Sequence, residues 1–363
     1  MISELNVNKF LLSIELNIIG QKLGKIGRII EIEHSNSKIN AIIEIHFPAG
    51  DAIDLIKSQI ESELCSYTGF SEVAVSLVNK ITSHAVQNHL KPVSGIKNII
   101  AIASAKGGVG KSTVAANIAL ALSGNGAAVG ILDADIYGPS QPQMLGLSGK
   151  KPNSKDGKSI LPLENHGIKV MSIGFLVDCD QPMVWRGPMV TTALKQLMYQ
   201  TVWGELDYLI IDMPPGTGDI QLTLSQKIPV SGAIIVTTPQ KIATLDARKG
   251  LVMFQKVSIS VLGVVENMSS HICSSCGNID TIFGSGGANE ITKDYNVPLL
   301  GSFPLSSSIR EQTDNGLPTV IADPNSASAL AYKNAALKIS VAQAIQRSEY
   351  SSKFGNIVVE DKK

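Results

Sequence analysis

The chain has 363 residues, 44% of them hydrophobic, with 31 basic and 31 acidic side chains and four cysteines. Such a length predicts about two to three domains with ample apolar material for a large core. Neutrality excludes a global electrostatic pull toward nucleic acid or anionic lipid, no run approaches the ~20 apolar residues of a membrane span, and so few cysteines in so long a chain point to reduced, cytoplasmic thiols rather than a disulfide framework.

The first 20 residues carry Glu4, Lys9 and Glu15 and lack a basic start or a continuous apolar run, so they do not read as a secretory leader. Residues 1–83 read as a small α+β domain. Over 41–47, Ile43, Ile45 and Phe47 alternate with Ile42, Glu44 and His46, which predicts a strand. Residues 27–33 suit its hairpin partner. Ile53, Ile56, Ile60 and Leu64 then recur at helical spacing behind a plausible cap, Asp51. Residues 71–77 read as a further strand, giving β-β-α-β. Cys65, on that helix, is expected in the core.

Residues 84–97, polar and holding Pro92 and Gly95, read as a linker. From 98 to about 345 the pattern changes. Apolar runs at 99–103, 128–132, 168–173, 208–211, 233–236, 261–265 and 299–303 alternate with helical segments. Short continuous apolar runs suit parallel strands buried on both faces, so the expectation is an α/β domain with a mostly parallel central sheet and helices on both sides. The tail, 346–363, is expected to be loosely ordered.

The first of these runs leads into Lys106-Gly107-Gly108-Val109-Gly110-Lys111-Ser112-Thr113, and helix-forming residues follow. Strand, glycine-rich loop and helix together make a phosphate-binding loop. Its glycines let backbone N–H groups converge on phosphate oxygens, and the helix N-terminus adds a positive dipole end. Lys111 is expected to reach the β- and γ-phosphates of ATP, and the Ser112 hydroxyl to ligate Mg²⁺. Ala105 occupies the place of the usual first glycine and Lys106 precedes the Gly-Gly pair. This is the deviant form of the loop, whose early lysine typically reaches a partner subunit's nucleotide.

Two later strands end in carboxylates. The run 128–132 delivers Asp133 and Asp135, and the run 208–211 delivers Asp212, followed by Met213-Pro214-Pro215-Gly216-Thr217-Gly218-Asp219. Ligands of open α/β sheets sit beyond the carboxyl ends of the strands. Asp135 is therefore assigned to the attacking water, Asp133 to the metal shell or to bracing its loop, and Asp212 to a metal-bound water in the Walker B position. Asn267, after the run 261–265, is the candidate for the adenine edge.

Cys273 and Cys276 form a C-x-x-C pair. Two thiolates cannot complete a site that commonly takes four ligands. The same pair in a second copy across a two-fold axis would complete it. A redox pair, two inert thiols, an intrachain site and zinc stand as alternatives. Cys179 has no assigned role.

With these residues assembled, the chain resembles the Mrp/ApbC-type iron–sulfur cluster carriers, a branch of the deviant Walker A ATPases related to MinD and ParA. The resemblance covers about residues 95–345. Besides the loop, it rests on Asp133-Ala134-Asp135-Ile136-Tyr137-Gly138-Pro139-Ser140, Trp185-Arg186-Gly187-Pro188-Met189, Asp212-Met213-Pro214-Pro215-Gly216, Glu266-Asn267-Met268-Ser269 with Cys273 and Cys276, and Ile282-Phe283-Gly284-Ser285-Gly286-Gly287. It implies an ATPase that forms a homodimer, holds a 4Fe-4S cluster between paired C-x-x-C motifs, and passes it from an upstream donor to recipient apoproteins. By the same match Lys106 becomes the signature lysine. Pro304-Leu305-Ser306 departs from the family's common Pro-Leu-Asp. A positioning ATPase like MinD or ParA is a rival reading, as is a zinc-bridged ATPase dimer. The former needs a membrane or nucleic-acid partner, against which the neutral charge and the poorly amphipathic C-terminus argue.

Overall fold

The computed structural model describes residues 4–353 except 36–37, 88–89, 155, 177–186 and 274. Cys179, the pair Trp185-Arg186 and the end of the expected tail lie outside the described residues. Two compact units divide the chain, Met1–His84 with Ser340–Lys363 and Ala85–Ile339.

In the smaller unit, helix α1 (Glu4–Ser13) precedes strands β1 (Gly27–His34) and β2 (Lys38–Ile45), which pair antiparallel. Helix α2 (Ile53–Thr68) crosses back so that β3 (Glu72–Asn79) lies parallel to β2. The alternation in β2 buries Ile43 and Ile45, with Phe47 beyond, while α2 buries Ile56, Ile60 and Leu64. The opposite alternation is not simply solvated. Glu44 is buried because Arg28 grips both its oxygens, at 2.9 and 3.0 Å, and that guanidinium holds its carboxyl below the usual range. Two expectations fail here. Asp51 falls in a short 3₁₀ turn, Gly50–Ala52, and Ala52 caps α2. Cys65 is exposed, its thiol donating to Phe70 O at 3.3 Å, since it lies off the Ile56/Ile60/Leu64 stripe.

Residues 85–97, read from sequence as a linker, group with the larger unit. Gln87 gives the physical reason. It is buried, donates through Nε2 to Ser225 O (2.7 Å) and Ile228 O (3.1 Å), and accepts from Val230 N at 3.1 Å. A buried amide needs such partners, and three of them fix the segment.

The larger unit is built on β4 (Ile96–Ala103), β5 (Val129–Asp133), β6 (Leu163–Asn165), β7 (Ile168–Ser172), β8 (Leu206–Asp212), β9 (Gly232–Thr237), β10 (Val261–Glu266) and β11 (Leu299–Ser302). These form one sheet in the order β11-β10-β9-β4-β8-β5-β7-β6. Every neighbouring pair is parallel except β6 with β7. All seven apolar runs read from sequence are strands of this sheet. Leu209, Ile210 and Ile211 on β8 and Ala233 to Val236 on β9 are buried throughout, which requires helical cover on both faces. The connection β4 to β5 runs to one side of β4, whereas the connection β8 to β9 crosses over β4 to its other side. That reversal opens a crevice beyond the carboxyl end of β4, the usual ligand position in such sheets.

Helix α3 (Lys111–Gly124) follows β4, α4 (Gly187–Tyr199) and α5 (Asp219–Lys227) flank β8, and α6 (Lys241–Lys256) follows β9. Then come α7 (Gly287–Tyr295), α8 (Ser307–Asp314) and α9 (Ala327–Lys353), the last running past residue 345, where the sequence pattern weakens. Ser306, standing where the family commonly has aspartate, caps α8 by accepting from Ser308 N at 3.2 Å, as an aspartate there could. Among the described residues no helix is long and apolar enough to cross a membrane.

Packing behind the site is tight at Gly130 on β5. A Cβ there would stand 2.9 Å from Leu206 Cδ1, 3.1 Å from Trp203 and 3.2 Å from Leu209. Gly130→Ala should therefore lower unfolding stability by about 1–3 kcal/mol through overpacking, read as a lower urea midpoint at constant m-value. A midpoint equal to wild type would show that this layer has room to give.

Candidate nucleotide site and cysteine knuckle

The loop between β4 and α3 is shaped for an anion. Gly108 and Gly110 take φ of 79° and 78°, conformations that favour glycine. Nothing lies within 4 Å of a Cβ built on Gly107 or Gly108, so the loop faces open space there. Among the described residues none accepts a hydrogen bond from the N–H of Gly107, Gly108, Val109 or Gly110. Four free donors beside a helix N-terminus form the concavity that phosphate oxygens occupy. Ser104 Oγ donates to Lys106 O at 2.8 Å and pins the loop's start.

Lys111 is the first residue of α3 and only 6% exposed. Its Nζ lies 3.2 Å from Ser112 Oγ and is hydrogen-bonded to Asp212 Oδ1. Asp212 ends β8 and pairs in register with Ile102 on one side and Asp133 on the other. Both aspartates are completely buried. Asp133 braces the segment that follows it: Oδ1 accepts from Asp135 N (3.2 Å), and Oδ2 from Ser140 N (3.0 Å), Gln141 N (3.1 Å) and Ser172 Oγ (3.1 Å). Burial, and next the charge of Asp212, push its carboxyl up to about 7 against those donors. Asp135 is half-buried and is raised by burial too, while Lys111 and the N–H groups of Gly138 and Tyr137 pull it down.

Lys106 stands apart from this cluster. Its Nζ is 3.6 Å from Asp246 Oδ2 on α6, and both side chains are partly exposed. Asn267 is buried at the end of β10, its Nδ2 donating to Val109 O at 2.9 Å. A Cβ on Gly110 would meet that Nδ2 at 2.2 Å, so the glycine is required there by contact as well as by φ. Gly110, Thr113, Asn267, Met268, Pro304 and Leu305 line part of a cleft of about 280 Å³ that opens beside the loop.

The C-x-x-C pair is carried on a small ribbon. His271–Ile272 pairs antiparallel with Ile279–Asp280, Cys273 N donates to Asn278 O, and Gly277 N to Cys273 O, both at 2.9 Å. The tight return leaves Cys276 exposed and Cys273 partly so, both as free thiols. The N–H groups of Ser275 and then Cys276, with the Cys276 side chain, lower the Cys273 pKa and favour the thiolate. Exposed Ile272, Ile279 and Ile282 surround the tip. Among the described residues no group of three or more His, Cys, Asp or Glu could hold a metal ion.

The structure thus brings Lys111, Ser112, Asp133, Asp135, Asp212 and Asn267 to one crevice. It sets Lys106 at the margin and the thiols on a separate tip. Three participants were missed from sequence. Gln141 bridges Asp212 Oδ2 (2.9 Å) and Ser112 O (3.0 Å), Ser172 supports Asp133, and Asp246 holds Lys106. No spacing rule marks Gln141 or Asp246, which come from connecting helices, and Ser172, at the end of β7 in register with Asp133, lacks the charge that singled out the other strand ends.

The family described as ParA, NUBPL iron-transfer P-loop NTPase, matches residues 95–340. The iron-sulfur cluster carrier protein of Pseudomonas fragi is 57% identical over 279 residues, 77% of this chain and 97% of that one. The protein of the same description from Escherichia coli K12 is 52% identical over 288 residues, 79% of this chain and 78% of that one. Among solved structures, a nucleotide-binding protein of Archaeoglobus fulgidus in complex with ADP matches with a TM-score of 0.55 at 39% identity, over 61% of this chain and 87% of that one.

Because the folded-state pKa of Asp133 lies above that of an unfolded carboxyl, burial favours its protonated form. Its contribution to stability is full below about pH 4 and is lost as pH rises through about 7. Asp135 acts in the same direction, whereas the lowered carboxyls, Glu44 and Asp246, act below about pH 4. The nucleotide-free protein should therefore lose thermal stability between about pH 4 and 7, and Asp133→Asn should flatten that slope. Melting curves across the range with the same slope in both proteins would show that Asp133 does not titrate there.

Proposed function

The chain belongs to the NUBPL iron-transfer P-loop NTPases, within the iron–sulfur cluster carriers, and from that premise we propose that it binds and hydrolyses ATP and uses the cycle to carry a 4Fe-4S cluster between two copies of itself. The observation that carries the proposal is the half-site at the ribbon tip. Two free, accessible thiols converge there, one biased toward thiolate, and no third ligand stands near them among the described residues. A four-thiolate cluster then needs a second copy, and the apolar rim of Ile272, Ile279 and Ile282 suits burial against it.

At the nucleotide site Lys111 exchanges Asp212 for the β- and γ-phosphates, while the N–H groups of 107–110 receive phosphate oxygens. The residues present fit a magnesium ion: the Ser112 hydroxyl and the freed Asp212 oxygen are hard donors beside the loop, and Mg²⁺ there would offset charge on the phosphates. Asp135, half-buried and raised in pKa, is the group for the attacking water. Asn267 and the adjoining cleft receive adenine, which displaces Nδ2 from Val109 O. Lys106, held only by a partly exposed carboxylate, is free to leave Asp246 for the nucleotide of the second copy. The cleft wall also supports a link to the cargo. Leu305 N donates to Ser270 O at 2.7 Å, and Leu305 O lies 3.1 Å from His271 Nδ1, two residues before Cys273. A base that shifts Leu305 pulls on the ribbon bearing the thiols. The cluster passes to recipient apoproteins from an upstream donor in a compartment that keeps thiols reduced, the cytoplasm.

Anaerobic reconstitution with iron and sulfide should give a wild-type dimer with about four irons, and the double variant Cys273→Ala/Cys276→Ala should retain ATP hydrolysis but bind no cluster. Equal iron and sulfide in the two proteins would refute the cluster site, and zinc in place of iron in protein purified without oxygen would establish a zinc bridge. Lys111→Ala should abolish hydrolysis, whereas Lys106→Ala should slow it by at least about tenfold with nucleotide still bound. Wild-type turnover in either variant would overturn that lysine's assigned role.

A further inference from the structure

Gln141 is a fully buried amide of the nucleotide site that the mechanism above leaves unused. It follows directly on the segment braced by Asp133, and its own backbone N–H supplies one of those braces, at 3.1 Å. Its Nε2 donates to Asp212 Oδ2 at 2.9 Å and to Ser112 O at 3.0 Å. Its Oε1 is buried with no hydrogen-bond partner, as is Ser140 Oγ beside it. A buried acceptor without a partner is unfavourable, and packing alone would be served better by an apolar side chain of similar volume.

The two oxygens of Asp212 are divided between two donors, Lys111 on Oδ1 and Gln141 on Oδ2. Only one of those donors is called away by phosphate. We propose that Gln141 is a positioning residue that holds Oδ2 while Lys111 departs, so that Asp212 presents Oδ1 to the divalent ion of the bound nucleotide in a fixed orientation. The inference rests on the metal–nucleotide reading given above. Gln141 is joined to the loop 134–140, so displacement of that loop removes the amide from Asp212 and lets the carboxylate rotate. Loop position is thereby converted into affinity for the divalent ion. The same bond to Ser112 O ties the first turn of α3, and hence the Ser112 hydroxyl, to that loop.

The test uses Gln141→Leu and Gln141→Met, which keep the volume and remove the donor. Affinity for Mn²⁺ in place of Mg²⁺ is measured on the ADP-loaded protein from free Mn²⁺ by electron paramagnetic resonance. ADP affinity without divalent ion is measured separately. Both variants should bind Mn²⁺ about tenfold more weakly, the scale on which groups that orient a metal's ligands act, and hold metal-free ADP within about twofold of wild type. In an Asp212→Asn background the same substitutions should change Mn²⁺ affinity no further. Mn²⁺ affinity within twofold of wild type overturns the proposal. So does an equal loss in the Asp212→Asn background, or loss of metal-free ADP binding in both variants, since Gln141 would then act by packing. Failure of the wild-type chain to bind ADP at all would instead overturn the nucleotide reading beneath it.

Discussion

The candidate nucleotide site is organised by the need to give a buried lysine a counter-charge. Lys111 is 6% exposed, and an unpaired ammonium at that depth would cost several kcal/mol. Asp212 supplies the counter-charge, and being buried itself it needs the cation as much as the cation needs it. Its neighbour Asp133 then stands beside a second buried carboxylate with one cation between the two. That imbalance, with burial, lifts its pKa and leaves it to brace a loop rather than offer charge. On the proposed reading, incoming phosphate changes the balance at one point, Lys111, and the carboxylates that depended on it must be satisfied anew.

The sheet places those groups with little freedom. Parallel neighbours in register put the last residues of β5 and β8 side by side, and β4, next to β8, ends where the loop begins. Strands buried on both faces cannot slide without exposing apolar side chains. The carboxylate pair and the phosphate loop are therefore fixed relative to each other by the same burial that holds the domain together. What lies outside that framework is carried on the connections: the segment 134–140, the Pro-Pro-Gly turn after Asp212, and the ribbon with the thiols.

Carboxylates at strand ends were legible from sequence, whereas a neutral hydroxyl at a strand end and residues brought in by the connections were not. The apolar runs gave all seven parallel strands because a strand buried on both faces has a composition no loop shares. Lys111, Ser112, Asp133, Asp135 and Asp212 could be read because each lies at, or within two residues of, the end of such a strand or in the loop after it. Ser172 also ends such a strand, in register with Asp133, but one serine within an apolar run carries no mark of its partner, and Gln141 and Asp246 lie off the sheet altogether. A polar residue eight positions beyond a strand end has the same local pattern whether it reaches a buried carboxylate or water. Gln87 misled for the same reason, since its polarity reads as exposure until its three backbone partners are in view. Cys65 misled conversely: a thiol one position from Leu64 lies about 100° around the helix from the buried stripe.

The separation of the thiols from the phosphate loop bears on how one could act on the other. Among the described residues, no hydrogen bond or ion pair joins the ribbon that carries Cys273 and Cys276 directly to the carboxylate cluster, so coupling between them runs through intervening residues. The continuous route is short: Asn267 against Val109, then Ser269 and Ser270 paired with Phe303 and Leu305. Each step is one or two hydrogen bonds, each worth about 1 kcal/mol, too little to force the thiols apart but enough to bias two nearly equal arrangements. On the proposed reading, a cargo held by two thiols from each of two copies would be sensitive to such a bias, because a small change in the distance between the tips would strain both pairs at once. In the proposed dimer, two-fold symmetry would turn a weak internal lever into a coordinated release, provided that both copies held nucleotide in the same state.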